Sequence, residues 1–95
     1  MKLVELARAI GSDIKVEQRL NSKTGKWDLY SVDFMNLVEF KLHKNNGILS
    51  SVYGKGKTKN EAIHNLVAKI NNYEIIVTDA YSPNRKEMSF GVITV

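Results

Sequence analysis

The sequence contains no cysteine, one proline and only two histidines. It also has no apolar run approaching the roughly 20 residues that a membrane-spanning helix needs. Without cysteine there is no disulfide framework, no thiolate zinc site and no thiol nucleophile, which suits a reducing interior. The N-terminal stretch MKLVELARAI carries Glu5 and Arg8 inside its apolar pattern, unlike a signal peptide. The expectation is a cytoplasmic protein with no membrane association. Ninety-five residues suffice for one modest core and not for two, so residues 1–95 are expected to form a single domain.

Acid is missing from one particular place. Residues 1–40 carry six basic and six acidic side chains and cancel. Residues 41–60 carry Lys41, Lys44, Lys55, Lys57 and Lys59 against no acid, and residues 61–95 carry three bases against four acids. The whole net charge of +4 therefore stems from one twenty-residue stretch. An anionic partner would be drawn there first, although a solvated lysine-rich loop would look the same in sequence.

Hydrophobic spacing divides the chain into elements. Leu3, Leu6, Ala7 and Ile10 recur at helical spacing before Gly11, which predicts a first helix over about residues 2–10. DIKVEQRL alternates as a strand, with Ile14, Val16, Gln18 and Leu20 on one face and Lys15, Glu17 and Arg19 on the other. NSKTGK reads as a hairpin loop with Gly25 available for positive φ, and WDLYSVDF returns. NLVEFKL alternates again, with Val38, Phe40 and Leu42 inward and Glu39, Lys41 and His43 outward. Residues 27–42 fit either one long bent strand or two short ones. ILSSVYG is expected to pair back after a turn. TKNEAIHNLVAKI carries an apolar stripe of Ala62, Ile63, Leu66, Val67 and Ile70, the strongest helical signal in the chain. YEIIVTD and MSFGVITV then read as a strand and a closing strand about the turn that holds Pro83.

The segment VYGKGKTKNEA joins a strand to that second helix. A phosphate-cradling Walker loop would need glycine where Ser51 stands, and a parallel sheet that this hairpin-rich order does not offer. Thr58 and Glu61 have capping-box spacing, so the threonine is expected to accept from the Glu61 N–H while the glutamate reaches back. That explains the threonine and the glutamate. It does not explain three lysines alternating with glycines.

GKGKTKNEAIHNLVAKI resembles the C-terminal half of double-stranded-RNA-binding domains, and the order helix, strands, helix is similar too. Gly54, Gly56, Thr58, Lys59 and Ala62 match that family's pattern. Asn60 and Ile63 stand where it has two further lysines, Leu66 and Val67 replace alanines, and NSKTGK lacks its Gly-Pro-x-His loop. The resemblance implies phosphate contact by lysines at the second helix's N-terminus. The same segment is similar to the start of HicB-type antitoxins. The whole chain, with its tail YSPNRKEM, resembles small bacteriophage proteins, which implies an accessory or host-interference role in bacterial cytoplasm.

No catalytic constellation emerges. His43 and His64 lack a partner at ligand spacing. Asp28 and Asp33 fall on opposite faces of one strand, and Ser50 and Ser51 have no positioned base. No enzyme, cofactor or metal site is expected. Core packing is the default for most aromatics, with Trp27, Tyr53 and Tyr81 at element ends as the candidates for exposure.

The expected fold is α+β: a curled antiparallel sheet packed on two helices, α-β-β-β-α like the double-stranded-RNA-binding domain, with an added C-terminal β-hairpin. The expected function is a non-catalytic binding module. Its partner is either nucleic-acid backbone, held by Lys41, Lys44, Lys55, Lys57 and Lys59, or a host or phage protein, with an exposed strand edge offering a route to a homodimer.

Overall fold

The computed structural model describes residues 1–95 as an α+β fold of two helices and two three-stranded antiparallel sheets. Helix α1 (Leu3–Ala9) buries Leu3, Leu6 and Ala7, and Gly11 at φ +68° ends it. Its first turn is closed by the Lys2 N–H donating to the Glu5 carboxylate at 2.9 Å. Strands β1 (Ile14–Asn21) and β2 (Lys26–Phe34) form a hairpin about Gly25, which takes φ +72°. Their register sets Ile14 opposite Phe34, Val16 opposite Val32 and Gln18 opposite Tyr30.

The run after Trp27 is two strands. Chain direction breaks at Met35–Leu37, where the Met35 N–H reaches the Asp13 carbonyl and the Asn36 N–H reaches Ser12 Oγ. Strand β3 (Val38–Lys41) then enters a second sheet, ordered β3-β5-β6, with β5 (Ile75–Thr78) and β6 (Lys86–Ser89). Between β3 and β5 lie strand β4 (Gly54–Gly56) and helix α2 (Lys59–Ile70). Strand β4 belongs to the first sheet, ordered β1-β2-β4.

Three sequence expectations are corrected here. One curled sheet was expected and there are two, because β3 leaves β2 at the Met35 break and finds β5 instead. ILSSVYG pairs back on β3 through a single bridge, Phe40–Ser50, and its end crosses to β2. The closing strand covers Lys86–Ser89 and not residues 88–95. The tail beyond it is tied down differently: Thr94 bridges Lys2 in parallel, and Asn71 both donates to and accepts from the Ile93 backbone at 2.8 Å.

The core joins the two sheets. Phe40 is fully buried, and the rings of Phe34, Tyr73 and Phe90 each lie 6.0 Å from its own. Val32, Leu66, Ile70, Ile76 and Ile93 fill the space around this aromatic hub. Both faces of β3 are buried: Val38 and Phe40 lie inward as expected, but no outward face remains. Glu39 and Lys41 lie inside, and Leu42 is exposed. No helix is long and apolar enough to cross a membrane.

Candidate nucleic-acid interface

The glycines of VYGKGKT have a packing reason. Helix α2 lies directly on β4, so a Cβ on Gly56 would fall 2.6 Å from the Ala62 nitrogen and 2.8 Å from Glu61 Cβ. A Cβ on Gly54 would overlap the Ala62 carbonyl oxygen. Only hydrogen fits between this strand and this helix. Pleating sends the intervening side chains the other way. Val52, Gly54 and Gly56 are buried, while Tyr53, Lys55 and Lys57 are exposed. The alternation of glycine with lysine is thus a strand whose inner face is helix contact and whose outer face is cationic.

The Tyr53 ring organises that outer face. Lys55 Nζ stands 5.3 Å and Lys69 Nζ 4.8 Å from its centroid, within the range of cation–π attraction. Lys69 Nζ also donates to the Tyr53 carbonyl at 2.9 Å, and the Asn65 amide donates to the Lys55 carbonyl. Two residues of α2 therefore satisfy the outward carbonyls of an edge strand. Register places Lys55 beside Ser31 and Ser31 beside Glu17, so the face carries charges of both signs across the sheet. A shallow groove of about 420 Å³ there is lined by Lys15, Arg19, Leu29, Ser31, Asp33, Tyr53 and Lys55, among others. Glu17 is clasped by Lys15 at 3.1 Å and Arg19 at 2.9 Å. The hydrogen bond from Lys15, then the charges of Lys15 and Arg19, hold its carboxyl below the usual range.

The second helix starts where its cap requires. Thr58 Oγ1 accepts from the Glu61 N–H at 3.1 Å; no return bond from the Glu61 carboxylate to Thr58 forms, so the cap has the threonine half alone. Lys59 opens the helix, exposed, and shares a hollow with Val16, Gln18 and Tyr30 on the helix-bearing side of the first sheet. Lys55 and Lys69 thus meet at Tyr53, while Lys59 lies round the edge of β4 from them.

Two of the five expected lysines are placed elsewhere. Lys41 is only 4% exposed, its ammonium bonded to Glu87 at 2.6 Å and to the Lys44 carbonyl at 3.1 Å. It is a structural cation, buried because β3 is covered on both faces. Lys44 is exposed but lines a different groove, with Glu74 and Glu87 nearby. Sequence reasoning missed Lys69, Lys15 and Arg19. Strand alternation put Lys15 and Arg19 on one face, but the pairing that brings Lys55 to them is not written in either segment. Nothing in the spacing of Lys69 marked it.

Asp28 accepts from Thr24, and Asp33 from the Phe34 N–H. His43 and His64 are exposed, and no three His, Asp or Glu side chains are grouped to hold a metal ion. Trp27, Tyr53 and Tyr81 are all exposed. No family model matches this chain, nor does any curated protein or solved structure.

Proposed function

We propose that this protein is a non-catalytic binding module that holds nucleic-acid backbone on the outer face of β4 and the start of α2. The observation that carries the reading is the division of one short strand. Gly54 and Gly56 are spent on helix contact, while Tyr53, Lys55 and Lys57 project to solvent, with Lys55 and Lys69 both over the Tyr53 ring. Lys57 and Lys59, at the positive end of a twelve-residue helix, add to its dipole in attracting phosphate. Lys55, Lys57 and Lys59 are the phosphate contacts in this reading, whereas Lys15 and Arg19 are held by Glu17.

The connectivity supports a duplex ligand. Strands β1, β2 and β4 lie side by side with α1 before them and α2 after, an order in keeping with double-stranded-RNA-binding domains once β3 is taken as an excursion. The resemblance to small bacteriophage proteins makes an accessory role in bacterial cytoplasm the setting. Gel-shift titration of duplex RNA and DNA tests the reading. Replacing Lys55, Lys57 and Lys59 together with glutamine should weaken binding about tenfold or more, with similar loss for unrelated sequences. Undiminished binding by the folded variant would refute it.

One observation favours a second reading, a protein-binding module. Leu37 and Tyr81 are 77% and 81% exposed and line one hollow with Glu39 and Asp79, on the opposite sheet from the lysines. Under that reading, capture of a partner from bacterial lysate survives nuclease and high salt, and Leu37→Asp abolishes it.

A further inference from the structure

We infer that the free edge of β1 is a self-recognition surface, joining two copies of this chain through an antiparallel β1–β1 pair about a twofold axis at Gln18. The inference stands apart from the nucleic-acid reading and needs none of its lysines.

Strand edges differ in how they are finished. The carbonyls of Lys55 in β4 and of Tyr53 just before it are taken by Asn65 and Lys69, β3 is bridged by Ser50 on its outer side, and the edge strand β6 has only four residues. Strand β1 spans eight residues, the second longest in the protein, and pairs only with β2. The bond from the Met35 N–H to the Asp13 carbonyl fixes the phase of that ladder. Lys15, Glu17 and Arg19 turn their backbone groups toward β2. Val16 and Gln18 turn theirs to the open edge, and Leu20 follows at the register shift that precedes Asn21. The same phase makes Gly54 and Gly56 face β2 and leaves the Tyr53 and Lys55 carbonyls outward, where Lys69 and Asn65 bond them. An open row of backbone donors and acceptors is a template for another strand.

The side chains along β1 say which strand fits. A twofold axis at Gln18 sets Val16 against Leu20 of the second copy and Glu17 against Arg19 of the second copy. Each pair then recurs by symmetry, as an isologous contact requires. Val16 and Leu20 are 41% and 51% exposed in the single chain, on the edge strand of their sheet, and this pairing sets each against the other across the axis. Neighbouring registers are worse. An axis at Glu17 opposes Lys15 with Arg19 and Glu17 with itself, and an axis at Arg19 opposes that arginine with itself. An axis at Val16 pairs Glu17 with Lys15 and Arg19 with Asp13, but it leaves Leu20 facing Ser12 and runs past the start of β1, so fewer strand residues pair. Apolar pairing and strand overlap therefore favour the axis at Gln18.

Charge swapping tests the alignment by sedimentation. Wild-type protein should form a dimer. Glu17→Arg alone and Arg19→Glu alone each place like charges opposite one another twice, and each should raise the dimer dissociation constant roughly tenfold or more. The double variant Glu17→Arg/Arg19→Glu should restore the dimer. Gln18→Cys, the only cysteine in its chain, should form a disulfide-linked dimer under mild oxidation, since directly opposed hydrogen-bonded residues hold their Cα atoms about 5.5 Å apart. A wild-type monomer at millimolar concentration would overturn the inference. So would a dimer indifferent to the single variants, failure of the folded double variant to re-associate, or failure of Gln18→Cys to cross-link.

Discussion

Gly54 lies directly beneath Leu66: a Cβ on the glycine would fall 2.8 Å from the leucine Cβ and overlap the Ala62 carbonyl. Because the obstacle is helix backbone, no rotamer change relieves it. Gly54→Ala should destabilise the protein by about 3 kcal/mol by forcing α2 off the sheet. Gly47→Ala, where the new methyl meets nothing within 4 Å, should stay within about 0.5 kcal/mol of wild type. Urea denaturation of the two variants makes the comparison.

That contact also marks the limit of what the sequence disclosed. Both helices, the β1–β2 hairpin and the start of α2 at Thr58 were legible, because each is set by local periodicity or capping. The purpose of Gly54 and Gly56 was not. Their glycine–lysine alternation resembled a phosphate loop, and only the arrival of α2 on β4 shows it to be a half-buried strand. Lys41 misled for a similar reason. Alternation assigns it to solvent, but Glu87 from β6 covers that face, and the β3–β5–β6 pairing is a non-local event. The candidate site was half legible: its charge was in the sequence, whereas its union with Lys69, Lys15 and Arg19 depends on register.

The helix cap gives a second test. Thr58 alone satisfies the Glu61 N–H, so Thr58→Ala should lower stability by about 1 kcal/mol. Charge-driven binding by the folded variant should be nearly unchanged. Equal denaturation midpoints for Thr58→Ala and wild type would show that the second helix is stabilised without this bond.

Acid should act through Glu87. Its carboxyl is held below the ordinary value of 4.5, first by the hydrogen bond from Lys41 and then by that from Arg85. The unfolded chain therefore binds this proton more tightly than the folded one. The contribution is complete above the ordinary value and disappears as pH falls through the lower folded value. Protonation also strips the buried Lys41 ammonium of its counter-charge. Glu87→Gln should lower the melting temperature at neutral pH and flatten the acid limb of stability against pH. Adding Lys41→Met should recover part of the loss, because no unpaired charge then remains inside. Thermal melts from pH 3 to 7 follow both effects.

Asn71 is the clasp of the C-terminal tail, bonded twice to the Ile93 backbone. Asn71→Ala should lower stability by about 2 kcal/mol, since a partly buried N–H and carbonyl lose their partners together. The tail after Phe90 should become the first site of proteolysis.

The central claim is that Lys55, Lys57 and Lys59 contact phosphate. Fluorescence anisotropy of a labelled duplex, titrated with wild-type protein across a series of salt concentrations, tests it most directly. Three neutralised phosphates give a slope of roughly −3 for the logarithm of affinity against the logarithm of salt. Glutamine at all three positions should shrink that slope by roughly two to three units. Wild-type protein that binds no duplex at low ionic strength, or binds with a slope the triple variant leaves unchanged, would contradict the account.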